Sequence, residues 1–364
     1  MSFLKASAPY TGMITIQLVY GGSNILSKIA LEHGMSFLVF VVYRHIIATA
    51  ILSPLAYFLE RNERPSLSIP ILMKIFILAL FGITVHQNVY YAGLDHTSPM
   101  VASALSNVIP ALTFLLAVLL RMEKVRIRSA TGGAKLIGTI FCISGALVFT
   151  FWKGPLFRGF VKRPLIVVHD HGKVHGKENW IQGSLLILAS HIAFSVWLIL
   201  QAKVYEVYPA RLSMNALICF CASFQSLLLA LIFEKNTSSW QLGWNMQLVT
   251  IIYCGTVISC LSYYLLTYCI SERGPVFAAM FTPLLLVIVG IFSAAFFAER
   301  LHVGSLIGAF IIIAGLYCVL WGKSRECGKN GDKRRDVEST TVTAVLPVST
   351  SNNDTQLTPQ EGTI

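Results

Sequence analysis

Long apolar runs, separated by mostly short polar connections, are the feature that most constrains this chain. A helix needs about 20 mostly apolar residues to cross about 30 Å of hydrocarbon, and ten stretches of the sequence have roughly that length. Their approximate limits are 10–30, 36–58, 70–93, 98–120, 133–152, 182–203, 212–233, 246–270, 275–298 and 303–321. Inside a bilayer only helices and closed barrels satisfy every backbone polar group. The sequence therefore predicts an all-α membrane protein with ten transmembrane helices.

The composition separates this chain from soluble proteins. Hydrophobic residues make up 55% of it and charged residues only 12%, whereas a typical soluble domain carries about 25% charged residues. The net charge of +11 does not indicate a nucleic-acid partner, because the basic residues lie between apolar runs instead of forming one solvated face. Most of the eight cysteines lie inside apolar runs, and none belongs to a paired zinc motif. We predict a lipid bilayer as partner, and neither a metal nor a cofactor.

Lysine and arginine are distributed unequally between the two ends of the spans. The N-terminus, the even-numbered connections and the tail together carry 18 of them, and the other side carries nine. Because cytoplasmic connections of membrane proteins are enriched in these residues, both termini are expected in the cytoplasm. We favour the plasma membrane as the location of this multi-pass protein and keep the vacuolar membrane as the alternative.

A repeat divides the chain into two halves. Residues 98–104 read SPMVASA and residues 274–280 read GPVFAAM, an offset of 176 that also relates the acid–base dipeptides at 123–124 and 299–300. Each half holds five spans, and this odd number inverts the second half relative to the first. Inverted repeats with a binding site near the midplane are typical of transporters. The predicted domains are 1–152 (first repeat), 153–181 (non-cytoplasmic loop), 182–321 (second repeat) and 322–364 (disordered cytoplasmic tail).

Three adjacent polar residues, His86, Gln87 and Asn88, interrupt the apolar third span. The offset of 176 relates them to residues 262–264 of span 8, so both halves carry hydrogen-bonding groups at one depth. Polar groups inside a bilayer are costly and usually face a bundle interior or a wet cavity. Gln87, Asn88 and Tyr91 are therefore expected to line a solute pathway, with hydrogen bonding between helices as the alternative.

Further polar and aromatic side chains within the spans are candidates for the same pathway. They suit an amphipathic solute, but they equally suit helix packing or the aromatic belt at the membrane surface. They are Gln17, Tyr20, Asn24, Asn107, Trp197, Gln201, Tyr263 and Tyr264. The glycine pattern at 304–308 favours a helix contact, more often within one chain than between two. A homodimer is therefore left open.

Arg44 is the one strong cation within a span. Its guanidinium could bind a substrate carboxylate in a bidentate manner, or it could bind backbone carbonyls and fix span 2, which is the interpretation we favour. All seventeen Asp and Glu residues lie outside the middle of the spans, so no carboxylate is available there as a proton relay. His45, His86 and His191 remain as candidate proton carriers. A uniporter is the simpler prediction.

Two prolines lie inside predicted spans, Pro110 in span 4 and Pro283 in span 9. Proline within a helix leaves the carbonyl one turn back without its N–H partner, which is that of Ser106 or Ala279 here. These carbonyls could bind solute or permit bending, and a packing kink is the equally open alternative. Pro99, by contrast, suits the first turn of a helix.

Several longer stretches resemble one family of plant membrane proteins. They are HQNVYYAGL (86–94), NVIPALTFLLA (107–117), GAKLIG (133–138), WLILQAKV (197–204), YPARLS (208–213), GPVFAAMFTPL (274–284) and GLYCVLWGKSRE (315–326). Over about residues 8–326 the chain is similar to the nodulin-like, walls-are-thin-related transporters, whose amino-acid-exporting members are called usually-multiple-acids-move-in-and-out transporters. That family belongs to the EamA-type drug/metabolite transporter superfamily.

The resemblance implies a ten-helix carrier built from two inverted EamA repeats, with its solute cavity between them. It also implies small organic solutes, chiefly amino acids and in some members auxin. Gln87 and Asn88 match site positions of the family, whereas Thr282 stands where the family usually has Asn before the proline of an FNPL-like motif. Thr keeps a hydroxyl but lacks the amide, so the family's substrate preference does not carry over to that position.

Together these observations predict a transporter that moves amino acids by alternating access, as a uniporter or facilitator. The alternative within transport is an auxin-like or indole-type organic acid carrier, with proton coupling as an option. A membrane enzyme is the alternative from another class, but the sequence has no HExxH motif and no Asp pair within a span. A lipid scramblase or a receptor would show no solute flux in liposomes.

Overall fold

The computed structural model describes residues 2–62, 64–122, 130–152, 177–296, 303–304, 306–322 and 325. All regular structure in these residues is helical, as the apolar runs predicted, and no strand occurs among them. The acid–base dipeptides of the repeat, most of the predicted inter-repeat loop and nearly all of the tail lie outside the described residues. What was predicted for those segments stays a prediction.

Within the described residues, ten helices form where the ten spans were predicted. They are α1 (Ser2–Glu32), α2 (Phe37–Glu60), α3 (Ile69–Asp95), α4 (Pro99–Leu119), α5 (Ala130–Phe151), α6 (Lys177–Val207), α7 (Arg211–Phe233), α8 (Met246–Arg273), α9 (Pro275–Ala295) and α10 (Leu306–Gly322). Eight of them are long and apolar enough to cross a membrane. The other two are α10, which is shorter, and α1, whose apolar sequence is interrupted by several polar residues.

Very short connections bring consecutive helices side by side. Gly274 alone separates α8 from α9, with a positive φ of 88° that residues with a side chain rarely adopt. Pro275 then begins α9, and Pro99 begins α4 as predicted. Ser98 caps α4 by accepting a hydrogen bond from the backbone N–H of Val101. These local features fix where the helices turn back into the membrane.

The two halves share irregular turns as well as regular helices. α3 contains the π-helical segment Leu80–Val85, and α8 contains the π-helical segment Cys254–Ser262. The offset of 176 carries residues 80–85 onto 256–261, inside the second segment. α4 is interrupted by the 3₁₀ turn Ser106–Val108, and α9 by a turn at 280–281. Because π-helical turns often occur at functional sites, these matched positions direct attention to the space between the halves.

The two halves pack against each other over much of the molecule: α2 lies along α7, α3 along α6, and α1 along α8 and α9. α5 and α10 meet at glycines, where Gly138 faces Gly315 and Gly145 faces Gly308. A Cβ atom on Gly308 would lie only 2.5 Å from the backbone nitrogen of Phe149. The absence of side chains therefore lets these helix backbones approach closely. The predicted glycine pattern takes part in this intrachain contact, and a homodimer stays a prediction.

Candidate functional site

A cavity lies between the two halves. α1, α2, α3 and α4 from the first half and α6, α8 and α9 from the second contribute side chains to its walls. Its volume, counted as the space in which the centre of a water molecule can lie, is about 110 Å³. Since one water needs about 10–15 Å³ of such space, the cavity has room for several waters or part of a small organic solute.

Nine of the residues predicted for the solute pathway line this cavity: Gln17, Tyr20, Asn24, Arg44, Gln87, Tyr91, Trp197, Tyr263 and Thr282. Sequence reasoning missed Ser23, Tyr90 and Phe194, which line it as well. Tyr90 lies in the same polar stretch of α3 and could have been found, whereas Phe194 looks like any packing residue in the sequence. His86, the first residue of the polar trio, and His191, weighed as a proton carrier, also belong to the lining.

Gln87 of α3 and Tyr263 of α8 contact each other at the centre of the site. The side-chain amide of Gln87 donates a hydrogen bond to the hydroxyl of Tyr263. The two residues are 176 apart, which is the offset of the internal repeat. Two equivalent positions touch only where the axis relating the halves passes between them. This hydrogen bond therefore marks the pseudo-twofold axis, and the cavity surrounds it.

Arg44 of α2 extends into the core with a side chain that is 2% exposed. Its Nε donates to the Ser259 hydroxyl at 3.1 Å, and its Nη1 donates to the Tyr91 hydroxyl at 2.7 Å. The guanidinium carbon also lies 5.6 Å from the centre of the Phe40 ring, a cation–π contact. These hydrogen bonds hold α2 against α3 and α8. They use side-chain hydroxyls, so they do not match the expectation that backbone carbonyls bind this residue.

Several uncharged polar atoms of the cavity wall lack partners. The side-chain oxygens of Gln17 and Gln87 and the indole nitrogen of Trp197 are buried with no hydrogen bond among the described residues. A buried polar group without a partner costs about 1–3 kcal/mol. Water or a polar solute in the cavity would remove that cost. These three atoms offer two acceptors and one donor to whatever occupies the cavity.

One side of the cavity is built from rings. The His86 ring lies 4.8 Å from that of Phe194 and 6.3 Å from that of His191, and its Nδ1 lies 2.9 Å from the Ser190 carbonyl oxygen. The Trp197 ring lies 5.3 Å from Phe194 and continues this surface. Aromatic rings bury large apolar area while staying compatible with polar neighbours. Such a wall suits the apolar part of an amphipathic solute.

Four predicted pathway residues lie away from the cavity lining. Asn88 donates to the Thr84 carbonyl one turn back, at 2.8 Å, and Asn107 likewise bonds within its own helix. Gln201 donates to the Thr267 hydroxyl. The fourth residue is Tyr264. The pathway role of these four stays a prediction.

The carbonyls that the prolines release are occupied within the chain. Pro110 follows the 3₁₀ turn of α4, and the Ser106 carbonyl accepts the N–H of Ile109. Pro283 follows the turn in α9, and the Ala279 carbonyl accepts a hydrogen bond from the Thr282 hydroxyl. Both prolines therefore lie in the first turn after an interruption, not deep inside a continuous helix. Solute binding by these carbonyls stays a prediction.

Comparison with known proteins agrees with a two-repeat architecture. A model of the EamA-like transporter family matches residues 9–151 and again residues 181–321, once in each half. A solved crystal structure of a protein that is 17% identical has a TM-score of 0.62, covering 88% of this chain and 98% of that chain. At this identity the likeness shows the fold alone.

Relatives in sequence are similar over most of both chains. A WAT1-related protein of Arabidopsis thaliana is 40% identical, covering 92% of this chain and 95% of its own length. Protein WALLS ARE THIN 1 of the same plant is 41% identical, over 87% of this chain and 83% of its own. An auxin-induced protein of Pinus taeda is 39% identical, over 87% and 79%. The chain therefore belongs to the EamA-like transporter family and, within it, to the WAT1-related membrane transporters.

Proposed function

We propose that this transporter moves amino acids by alternating access, with the solute bound in the central cavity between the two halves. The halves are inverted copies, so rocking one against the other exposes a site between them to each side of the membrane in turn. The hydrogen bond of Gln87 to Tyr263 spans this boundary. A solute bound beside it would contact both halves at once.

The unpaired amide oxygens of Gln17 and Gln87 are the observation that carries this proposal. Both residues line the cavity, and both oxygens accept hydrogen bonds only. An α-ammonium group has three N–H donors and no acceptor, which makes it a good complement to two carbonyl oxygens. The ring wall beside them then provides an apolar surface for the amino-acid side chain.

Uniport is the mechanism that this lining favours. Among the described residues that line the cavity there is no Asp or Glu, the residues that commonly relay protons inside membranes. We therefore expect flux to follow the solute gradient and to change little with external pH.

An indole-type organic acid is the second candidate. The observation in its favour is the cluster of rings around Phe194 and Trp197, which suits a flat aromatic solute. Such an acid has no ammonium group, so it would leave at least one of the two amide oxygens without a partner. Direct comparison of amino acids with indole acetate separates the two candidates.

The test is radiolabelled uptake and efflux of an amino-acid panel and indole acetate, at two external pH values. Gln87→Ala is expected to lower amino-acid flux about tenfold, the effect of one to two lost hydrogen bonds. Gln225→Ala is the matched control, because Gln225 is also a buried glutamine but bonds Thr84 and the Phe76 carbonyl outside the cavity. Equal flux in both variants, per folded molecule, would contradict the assignment. Steep pH dependence would contradict uniport.

A further inference from the structure

Arg44 differs from the other groups of the central cavity because it carries a full charge. It lines the cavity and is almost completely buried. A guanidinium has five N–H donors, yet the described hydrogen bonds use only Nε, to Ser259, and Nη1, to Tyr91. Nη2 has no hydrogen-bond partner among the described residues. The side chain therefore keeps donor capacity next to the cavity.

No carboxylate balances this charge within the described part of the chain. The groups that interact electrostatically with Arg44 there include no carboxylate: they are hydroxyls, thiols and imidazoles, on Tyr20, Tyr91, Tyr263, Cys219, Cys254, His45 and His86. The described ion pairs of the protein lie elsewhere. Buried charges are normally paired, because an isolated charge in an apolar environment is costly. The position therefore calls for a negative partner that the described residues do not supply.

The guanidinium is also held in place. Its hydrogen bonds reach Tyr91 on α3 and Ser259 in the π-helical segment of α8, and the Phe40 ring packs against it. The planar fork of an arginine matches the two oxygens of a carboxylate, and a side chain that is already oriented loses less freedom on binding. A carboxylate bound here would lie between the two halves.

We propose that Arg44 is the carboxylate-binding residue of the central cavity, which makes organic anions and zwitterions the substrate class and disfavours the corresponding amides and amines, which lack the carboxylate. This inference rests on the proposed function, because it takes the central cavity as the place where solute binds. A bound carboxylate supplies the missing negative charge and uses the free donors. An amine without a carboxylate adds a second positive charge to the same cavity.

The test compares solutes that differ at the carboxylate. Alanine, alaninamide and ethylamine form one series, and tryptophan, tryptophanamide and tryptamine form the other, with indole acetate as an acid without an amine. Purified full-length protein in liposomes carries the radiolabelled amino acid, and each solute is assayed as a competitor. The acids are expected to compete about 10- to 100-fold more strongly than their amides or amines, the range of a hydrogen bond to a charged group.

Variants then assign that preference to one residue. Arg44→Gln is expected to abolish the preference for acids, and Arg44→Lys to retain part of it because the charge is kept. Arg211→Gln is the matched control, since Arg211 pairs with Glu272 at 3.2 Å and does not line the cavity. A second measurement needs no variant: alanine and tryptophan are expected to raise the unfolding temperature of the wild-type protein more than their amides do.

The outcomes separate this inference from the proposed function. Equal competition and equal stabilisation by acids and amides would overturn the carboxylate site while leaving amino-acid transport in place. Flux of indole acetate without any amino-acid flux would overturn amino-acid transport. If the flux of indole acetate is then lost in Arg44→Gln, that result would still support the carboxylate site. Flux of neither class would overturn both.

Discussion

α2 and α7 occupy matching places in the two halves, and the last residue of α2 and the residue that follows α7 are both glutamates, each of which binds at the start of the other helix. Glu60 accepts hydrogen bonds from the backbone N–H groups of Leu212 and Ser213, at 2.8 and 2.7 Å. Glu234, 174 residues later in the chain, binds the side chain of Ser36 next to the start of α2. The π-helical segments and the glycine contacts of α5 with α10 are paired in the same way.

The polar clusters of the two halves do not match. In the first, Arg44 of α2 binds hydroxyls on α3 and α8 and faces the cavity. In the second, which we call the amide cluster, the Thr267 hydroxyl accepts hydrogen bonds from Gln201 and Asn215, at 2.8 and 3.0 Å. The amide cluster is neutral, and α7 contains no charged residue after Arg211 at its first position.

This difference separates what the membrane requires from what a solute requires. Both halves must satisfy their backbones in the same hydrocarbon, so their helix contacts and irregular turns agree, and a glutamate lies at each of the two matching helix starts. The proposed solute, an amino acid, has one negative group, and a single cation is enough to bind it. We therefore assign the symmetric features to stability and the unmatched charge to recognition, and the predictions below test that division.

The largest effect is expected from breaking a symmetric contact. Gly308→Leu places a side chain where a Cβ would lie 2.5 Å from the Phe149 nitrogen and 2.7 Å from the Gly145 carbonyl oxygen. Backbone atoms cannot move aside locally, so α5 and α10 must separate, at a cost of about 3 kcal/mol or more. Thermal unfolding of the purified protein measures this cost. Gly133→Leu is the matched control, because a Cβ on Gly133 meets nothing within 4 Å; equal losses in both variants would contradict the contact.

The next effect separates the two polar clusters. Thr267→Val removes the hydroxyl that both amides of the amide cluster bind, and leaves buried polar groups unpaired at a cost of about 1–3 kcal/mol. The preference for acids over amides is expected to stay unchanged in the molecules that remain folded. Unfolding temperature and competition in liposomes together check both parts. Thr256→Val, which loses only a bond within its own helix, is the control, and a change of preference in Thr267→Val would assign recognition to the amide cluster as well.

A smaller effect is expected at Glu60, which caps the start of α7. Glu60→Gln keeps the size of the side chain but removes its charge from the start of α7, where a negative group is favourable. The carboxylate uses both of its oxygens as acceptors, whereas the glutamine amide has only one oxygen. The free energy of unfolding is therefore expected to fall by about 1 kcal/mol. Unfolding temperature is again the measurement. If Glu60→Gln and the exposed variant Glu206→Gln are equally stable, the cap has no energetic role.

The smallest effect depends on pH. The hydroxyl of Ser36 hydrogen-bonds the carboxylate of Glu234 and, with help from the N–H of Asn236, holds its pKa below the usual value despite partial burial. Because the folded pKa is lower than the unfolded one, the stabilisation is complete at neutral pH and is lost as the pH falls through the folded pKa. Glu234→Gln is expected to be less stable than wild type by under about 1 kcal/mol at pH 7.

Acidification provides the check on that last prediction. The difference in unfolding temperature between wild type and Glu234→Gln is expected to close as the pH falls below about 4, where a free Glu protonates. A difference in unfolding temperature that persists in acid would mean that shape, not charge, distinguishes the two side chains. The comparison with Glu60→Gln then shows whether the two glutamates contribute equally to stability.

Much of the fold could be predicted from the sequence, because hydrocarbon leaves a long apolar run few alternatives to a helix. The repeat offset also predicted that positions near Gln87 and Tyr263 occupy one depth, and they are in contact. Neighbouring residues were harder to separate. Gln87 lines the cavity and Asn88 bonds its own helix, yet both are amides in the same apolar run. Consecutive residues of a helix point about 100° apart, so only one of the two can face the cavity. The sequence does not show which side of α3 faces the neighbouring helices.

By itself the sequence determined the ten helices, their division into inverted halves and the polar groups that had to be sheltered from lipid. Only the tertiary structure decided which of those groups share a cavity. Arg44 meets Tyr91, 47 residues away, and Ser259, 215 residues away, and it meets no carboxylate among the described residues. Such distant neighbours are set by how whole helices pack, whereas the cost of an unpaired polar group in hydrocarbon is fixed by the residue alone.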